Sequence, residues 1–140
     1  MRRILGLDVG EKRIGVAVSD ALGITAQGLE TIKQKDALAE IKSLIKQYDV
    51  EKIIIGMPLN MNGSKGERAR FTDDFLVLLK KETDIETLTV DERLTTAQGE
   101  RILLEADLSR KKRKRSIDKI AAQLILQTYL DSHVQENRTG

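Results

Sequence analysis

The chain has 140 residues, 40% hydrophobic and 33% charged, with 24 Lys and Arg against 22 Asp and Glu for a net charge of +2. That balance suits one globular domain over residues 1–140 and excludes a disordered chain. No apolar run approaches the roughly 18 residues of a membrane span, and the absence of cysteine excludes disulfides, thiolate metal sites and cysteine nucleophiles. The single histidine, His133, stands near a polar end, so multi-histidine zinc sites and histidine-based general-base chemistry are not expected and carboxylates are left to carry any catalysis. Arg2 and Arg3 precede an apolar run that Asp8 interrupts, so no signal peptide is expected and the expected location is the cytoplasm.

In chain order, Ile4 to Leu7 and Ile14 to Val18 are apolar runs joined through Asp8, Gly10 and the polar residues Glu11, Lys12 and Arg13. They read as a β-hairpin, with Gly10 free to take turn conformations other residues avoid. Ala21 to Thr25 is a loop, and Gly28 to Lys33 alternates weakly enough for a third strand at an edge. Asp36 is placed to cap a helix carrying Ala37, Leu38, Ile41, Leu44, Ile45 and Tyr48 at helical spacing. Lys52 to Met57 contains I-I-I-G-M, the continuous apolar run of a parallel strand covered on both faces, and Pro58 stops it. Ser64 and Glu67 have capping-box spacing for a helix to about Lys81, with Phe71, Phe75, Leu78 and Leu79 as its stripe.

Glu86 to Val90 is a fifth strand in which Leu88 and Val90 share a face, and Glu92 with them if the strand continues. Thr95 and Gln98 suggest a short helix to about Ala106. A last helix starts at Ser109 or Ser116 and reaches about Ser132, with Ile117, Ile120, Ala121, Leu124, Ile125 and Thr128 as its apolar positions and a frayed tail after about His133. Three strands, then helix, strand, helix, strand and helix, make a mixed α/β pattern in which a meander is extended through right-handed crossovers.

Three acidic positions carry the chemistry. Asp8 ends a strand apolar enough to be central, where a carboxylate is costly unless paired or bound to a cation. Asp91 and Glu92 end the fifth strand, where ligands of open α/β sheets gather. Asp118 sits on the last helix before Ala121 and Ala122, small residues that permit close approach to a sheet. Each has a plain structural alternative: a turn acceptor for Asp8, a cap for Asp91, an ion pair with Arg93 for Glu92, a favourable first-turn charge for Asp118. Taken together, Asp8, Glu92 and Asp118 would repel unless divalent cations sat among them, and oxygen-only ligation suits Mg²⁺ or Mn²⁺. Two such ions support phosphodiester cleavage.

Four ordered stretches, G-L-D-V-G-E-K-R-I-G-V-A-V-S-D, I-I-I-G-M-P-L-N-M-N-G, V-D-E-R-L-T-T, and the basic run followed by I-D-K-I-A-A-Q-L-I-L-Q, resemble the YqgF family from about Arg2 to Ser132. Those are bacterial RNase H-like proteins described as candidate Holliday junction resolvases and as candidate nucleases maturing the 5′ end of pre-16S rRNA. The resemblance implies a five-stranded mixed sheet in the order 3-2-1-4-5 flanked by helices. It also implies a carboxylate metal site in which Asp8 bridges two Mg²⁺ or Mn²⁺ ions, Glu92 binds one and Asp118 completes the set, with Asp91 as the alternate.

Basicity is concentrated between Arg101 and Lys119, where eight Lys and Arg stand against Glu105, Asp107 and Asp118, a net +5 that leaves −3 for the rest. A polyanionic partner follows, with Arg110, Lys111, Lys112, Arg113, Lys114, Arg115 and Lys119 as phosphate contacts that are salt-sensitive and indifferent to sequence. Lys12, Arg13, Asn62, Lys65, Arg68 and Arg93 join the expected nucleic-acid contacts, although a helix-capping loop explains Asn60 to Arg68 nearly as well and Arg93 could instead orient Glu92. Aromatics make up 3% of the chain, too few for a base-stacking platform. The expected substrate is a structured rRNA precursor, with branched DNA as the alternative, and the expected state is a monomer or weak homodimer. Two rivals remain: a phosphate-binding hairpin of the actin and sugar-kinase type, which needs a second such domain, and a non-catalytic nucleic-acid-binding assembly factor.

Overall fold

The computed structural model describes residues 2–94 and 120–132. Strands β1 (Arg3–Val9), β2 (Arg13–Ser19) and β3 (Ala26–Lys33) form an antiparallel meander. Helix α1 (Ala37–Tyr48), β4 (Val50–Met57), α2 (Glu67–Glu82) and β5 (Glu86–Asp91) follow, and a further helix, α3, covers 120–132. The five strands make one sheet in the order β3-β2-β1-β4-β5, with β4 parallel to both β1 and β5. The α/β class, the mixed sheet and its 3-2-1-4-5 order are therefore those expected. No helix among the described residues is long and apolar enough to cross a membrane.

The sheet is covered on both faces, which is why its central strands read as nearly continuous apolar runs. Leu5, Leu7 and Val9 of β1 join Ile14, Val16 and Val18 of β2 and Ile53, Ile55 and Met57 of β4 in one cluster, closed by Ala37 and Ile41 of α1 and Phe75 and Leu79 of α2. On the opposite face Ala17 and Ile54 are buried against Ala122, Ile125, Leu126, Tyr129 and Leu130 of α3, beside Ile4, Leu88 and Val90. Helix α3 lies almost on the strand backbone. A Cβ added to Gly6 would stand 2.8 Å from the Leu126 Cβ and 3.2 Å from the Ala122 carbonyl oxygen.

Local expectations needed correction in five places. Gly10 does not use a positive φ, which among the described glycines occurs at Gly23 and Gly63; it is needed for space, since a Cβ there would fall 2.6 Å from the Arg13 carbonyl oxygen. Asp36 precedes α1 without a side-chain cap bond, because a 3-10 turn (Gln34–Asp36) runs into the helix and the Gln34 carbonyl accepts from the Ala37 amide. Ser64 does not cap α2, whose N-terminal flank is Gly66. Its hydroxyl is engaged by Asn62 and Asn60 inside the loop. Leu78 is not part of the α2 stripe. It is 50% exposed, and Ala69, Thr72, Phe75, Leu76 and Leu79 are the buried positions.

The buried line of α3 is also displaced from the expected one. It runs through Ala122, Ile125, Leu126, Tyr129 and Leu130, whereas Ile120, Ala121, Leu124 and Thr128 are half-buried. The close approach at Gly6 is made by the Ala122 backbone and Leu126, on the line that faces the sheet. The expected helix after Thr95, the start of the last helix, Ile117 and the tail after His133 lie outside the described residues.

Candidate active site

Because β1, β4 and β5 are parallel, their carboxyl ends share one edge of the sheet. Asp8 is the penultimate residue of β1 and pairs with Gly15 of β2, which has no side chain to crowd it. Beyond β5 the chain enters a 3-10 turn (Glu92–Leu94), and Glu92 folds back over Gly56 of β4. A Cβ on Gly56 would lie 2.6 Å from Glu92 Oε1 and 2.9 Å from its Cγ, and would strike Ile125 of α3. The glycine inside I-I-I-G-M thus makes the pocket that admits the Glu92 side chain.

Glu92 meets Asp8 there, the two carboxyl groups within hydrogen-bond reach of each other. Burial, then the hydrogen bond with Asp8, then the Asp8 charge push the Glu92 carboxyl from its ordinary value of 4.5 to about 8. The Arg68 charge works in the opposite direction and the nearby Asp91 charge adds to the rise. The same pair of oxygen donors suits a hard dication.

A cleft of about 210 Å³ opens at this edge, lined by Asp8, Gly10, Lys12, Arg13, Gly15 and Arg68. Its cationic side is held by the β1–β2 turn, where the Gly10 amide donates to the Arg13 carbonyl at 3.0 Å. Gln34 ties that turn to the end of β3, its amide donating to Lys12 O at 2.9 Å and its side chain to Gly10 O at 2.8 Å. One carboxylate, Asp8, and three cations, Lys12, Arg13 and Arg68, share this lining, a charge pattern suited to an anionic ligand.

The other expected site residues fall into different places. Asp91 does not face Asp8: Arg93 holds its carboxylate with Nε at 2.9 Å and Nη2 at 2.6 Å from Oδ2, and these bonds pull the Asp91 pKa below its usual value. Of the adjacent acidic pair, Glu92 is the one that reaches Asp8. Lys65 is paired with Asp73 at 2.8 Å, and Asn62 accepts from the Ser64 amide at 3.0 Å within the loop. Arg93 points to Asp91 and the Met61 carbonyl, and the cleft lining does not include it. Asp118, Arg110 to Arg115 and Lys119 lie outside the described residues. Among the described residues no group of three or more His, Cys, Asp or Glu is arranged to hold a metal. Sequence reasoning missed Gly15 and Gly56; the signal was a glycine inside an apolar strand, which marks a close approach.

The sequence profile of the RuvX family, described as Holliday junction resolvase, matches residues 2–132. The chain belongs to the RuvX family. Within it, a protein of Halothermothrix orenii named "Putative pre-16S rRNA nuclease" is 57% identical over 132 residues, 92% of this chain and 94% of that protein. A relative of the same name from Natranaerobius thermophilus is 54% identical over 96% of this chain and 98% of its own length. Among solved structures, Thermus thermophilus RuvC in complex with Holliday junction substrate superposes with a TM-score of 0.55 at 14% identity, over 89% of this chain and 92% of that one. The Thermus thermophilus RuvC structure without that description gives 0.54 at 12% identity, over 95% and 96%. At that identity RuvC shares the fold of this RuvX chain, and the membership rests on the profile and the relatives.

Proposed function

We propose that this RuvX-family protein is a metal-dependent endonuclease that hydrolyses phosphodiester bonds, acting in the cytoplasm on the 5′ end of pre-16S rRNA. The observation that carries the reading is the contact between Glu92 and Asp8, with Asp8 lining a cleft that Lys12, Arg13 and Arg68 share. The donor chemistry fits Mg²⁺ or Mn²⁺, since both groups offer only oxygen. Asp8 and Glu92 would hold the cations, two in the full site, with Asp118 as the third carboxylate. Bound there, such ions supply an activated water and charge stabilisation at the leaving oxygen. Glu92 must give up its proton for this role. Lys12, Arg13 and Arg68 bind and orient the substrate phosphates, and the carboxylate pair limits where the scissile one can rest.

The RNA assignment is supported by the shared name of relatives at 54% and 57% identity. Junction resolution is the second reading, favoured by the family description. Metal-dependent cleavage of a pre-16S rRNA fragment and of a four-way DNA junction, by wild type and Asp8→Asn, separates the two. The expected result is cleavage of the rRNA precursor by wild type and binding without cleavage by Asp8→Asn. If the wild type cuts neither substrate with Mg²⁺ or Mn²⁺, the nuclease reading is lost.

A further inference from the structure

Asp91 and Arg93 bracket Glu92 in the chain, and neither lines the cleft. Arg93 grips the Asp91 carboxylate through its backbone amide at 3.0 Å and Nε at 3.1 Å to Oδ1, and through Nε at 2.9 Å and Nη2 at 2.6 Å to Oδ2. The remaining terminal nitrogen, Nη1, donates to the Met61 carbonyl at 3.2 Å, across to the loop between β4 and α2. Gly63, with φ +86°, lies beside that guanidinium: a Cβ there would stand 3.5 Å from Nη1.

That loop is tied to itself. The Gly63 amide donates to Asn60 O at 2.8 Å, and the Asn60 amide to Ser64 O at 2.9 Å. It leads into α2, whose first turn carries Arg68 on the cleft wall. One guanidinium therefore joins the end of β5, where Glu92 starts its fold back over Gly56, to the loop that sets Arg68.

We propose that Arg93 is a positioning residue, a clamp that fixes Glu92 and the β4–α2 loop relative to each other, and that it does not itself contact substrate phosphate. The fork geometry is the reason. Five N–H groups in one plane serve two carboxylate oxygens and a carbonyl at once, which a lysine ammonium on a flexible stem does not reproduce. The side chains of Asp91 and Arg93 are 26% and 36% exposed, so the pair adds little to global stability. Its effect is local, and a carboxylate displaced by about 1 Å costs on the order of 100-fold in rate.

This assignment rests on the nuclease reading, and two measurements keep the failures apart. In metal-dependent cleavage, Arg93→Lys, Arg93→Ala and Asp91→Ala each lower kcat by roughly 10- to 100-fold, with KM, the salt dependence of binding and the melting temperature close to wild type. The double substitution is no worse than either single one. Amide exchange at Gly63 and Ser64 rises in all three variants, whatever the substrate proves to be. A phosphate contact would behave differently: Arg93→Lys would retain kcat, Arg93→Ala would reduce the salt slope by about one, and Asp91→Ala would not mimic either. That pattern, or unchanged amide exchange in Arg93→Lys, overturns the clamp, whereas a wild type without nuclease activity overturns only the reading beneath it.

Discussion

On the α1 and α2 side of the sheet, the inward positions of β1, β2 and β4 are filled by Leu, Ile, Val and Met; on the α3 side the same strands carry Ile4 and Ile54 but also Gly6, Asp8, Gly15, Ala17 and Gly56. The first face is ordinary core, where stability follows the volume of apolar side chains. The second gives up side-chain volume so that a helix and a carboxylate can lie against strand backbone. A functional face can thus be dense without being rich in large residues, and its tolerance to change has the opposite sign: the first face suffers from losing atoms, the second from gaining them.

Truncation on the first face is the largest effect expected. Leu79 is 1% exposed in the α2 cluster, and Leu79→Ala should cost about 2–5 kcal/mol in denaturant unfolding. Cleavage per folded molecule should stay near wild type, because Leu79 lies on the face away from Asp8 and Glu92. A loss of specific activity matching the loss of stability would break the distinction between the faces.

Enlargement on the second face comes next. Gly56→Ala places a methyl group against the ends of the Glu92 and Ile125 side chains. Both can swing, so the chain should fold with a penalty of about 1–3 kcal/mol. The swing removes Glu92 from Asp8, and cleavage should fall roughly 100-fold. A variant that keeps full activity would show that Glu92 does not need its place over Gly56.

A smaller effect reports the Asp8–Glu92 contact through pH. Glu92 has its folded value raised to about 8, by burial first and by Asp8 second. The sign follows from linkage: stabilisation by the protonated carboxyl is complete below about 4.5 and is lost as pH rises through about 8. Metal-free wild type should therefore melt several degrees lower at the alkaline end of that window than at its acid end. Glu92→Gln, neutral throughout, should lack that component. Equal slopes in chelator-treated melts of the two proteins would contradict the contact.

The same contrast explains what was legible in the sequence. The meander and the alternation of strands with helices were readable from their periods, the 3-2-1-4-5 order from the family resemblance, and Asp8, Asp91 and Glu92 stood out as carboxylates closing apolar runs. What stayed hidden depends on contacts between distant segments. Nothing local to Gly56 says that Glu92 will lie over it, and nothing local to α3 says that Gly6 will draw Ala122 and Leu126 inward in place of Ala121 and Leu124. Caps failed for a related reason. Ser64 has the residue type and spacing to cap α2, yet its hydroxyl is already engaged by Asn60 and Asn62.

Helix α2 holds the sharpest case, and the smallest expected effect. Phe75, Leu76, Val77, Leu78 and Leu79 are consecutive, so hydropathy cannot tell which of them turn inward. Packing decides: Phe75, Leu76 and Leu79 are buried, whereas Val77 and Leu78 are 54% and 50% exposed. Leu78→Ser should therefore change stability by no more than about 0.5 kcal/mol, next to a neighbour whose truncation costs several times that. The small loss of helix propensity on going from Leu to Ser accounts for most of it. Denaturant melts of Leu78→Ser and Leu79→Ala, measured side by side, test this directly. Comparable losses at the two positions would mean that α2 is rotated about its axis, and the wall that carries Arg68 with it.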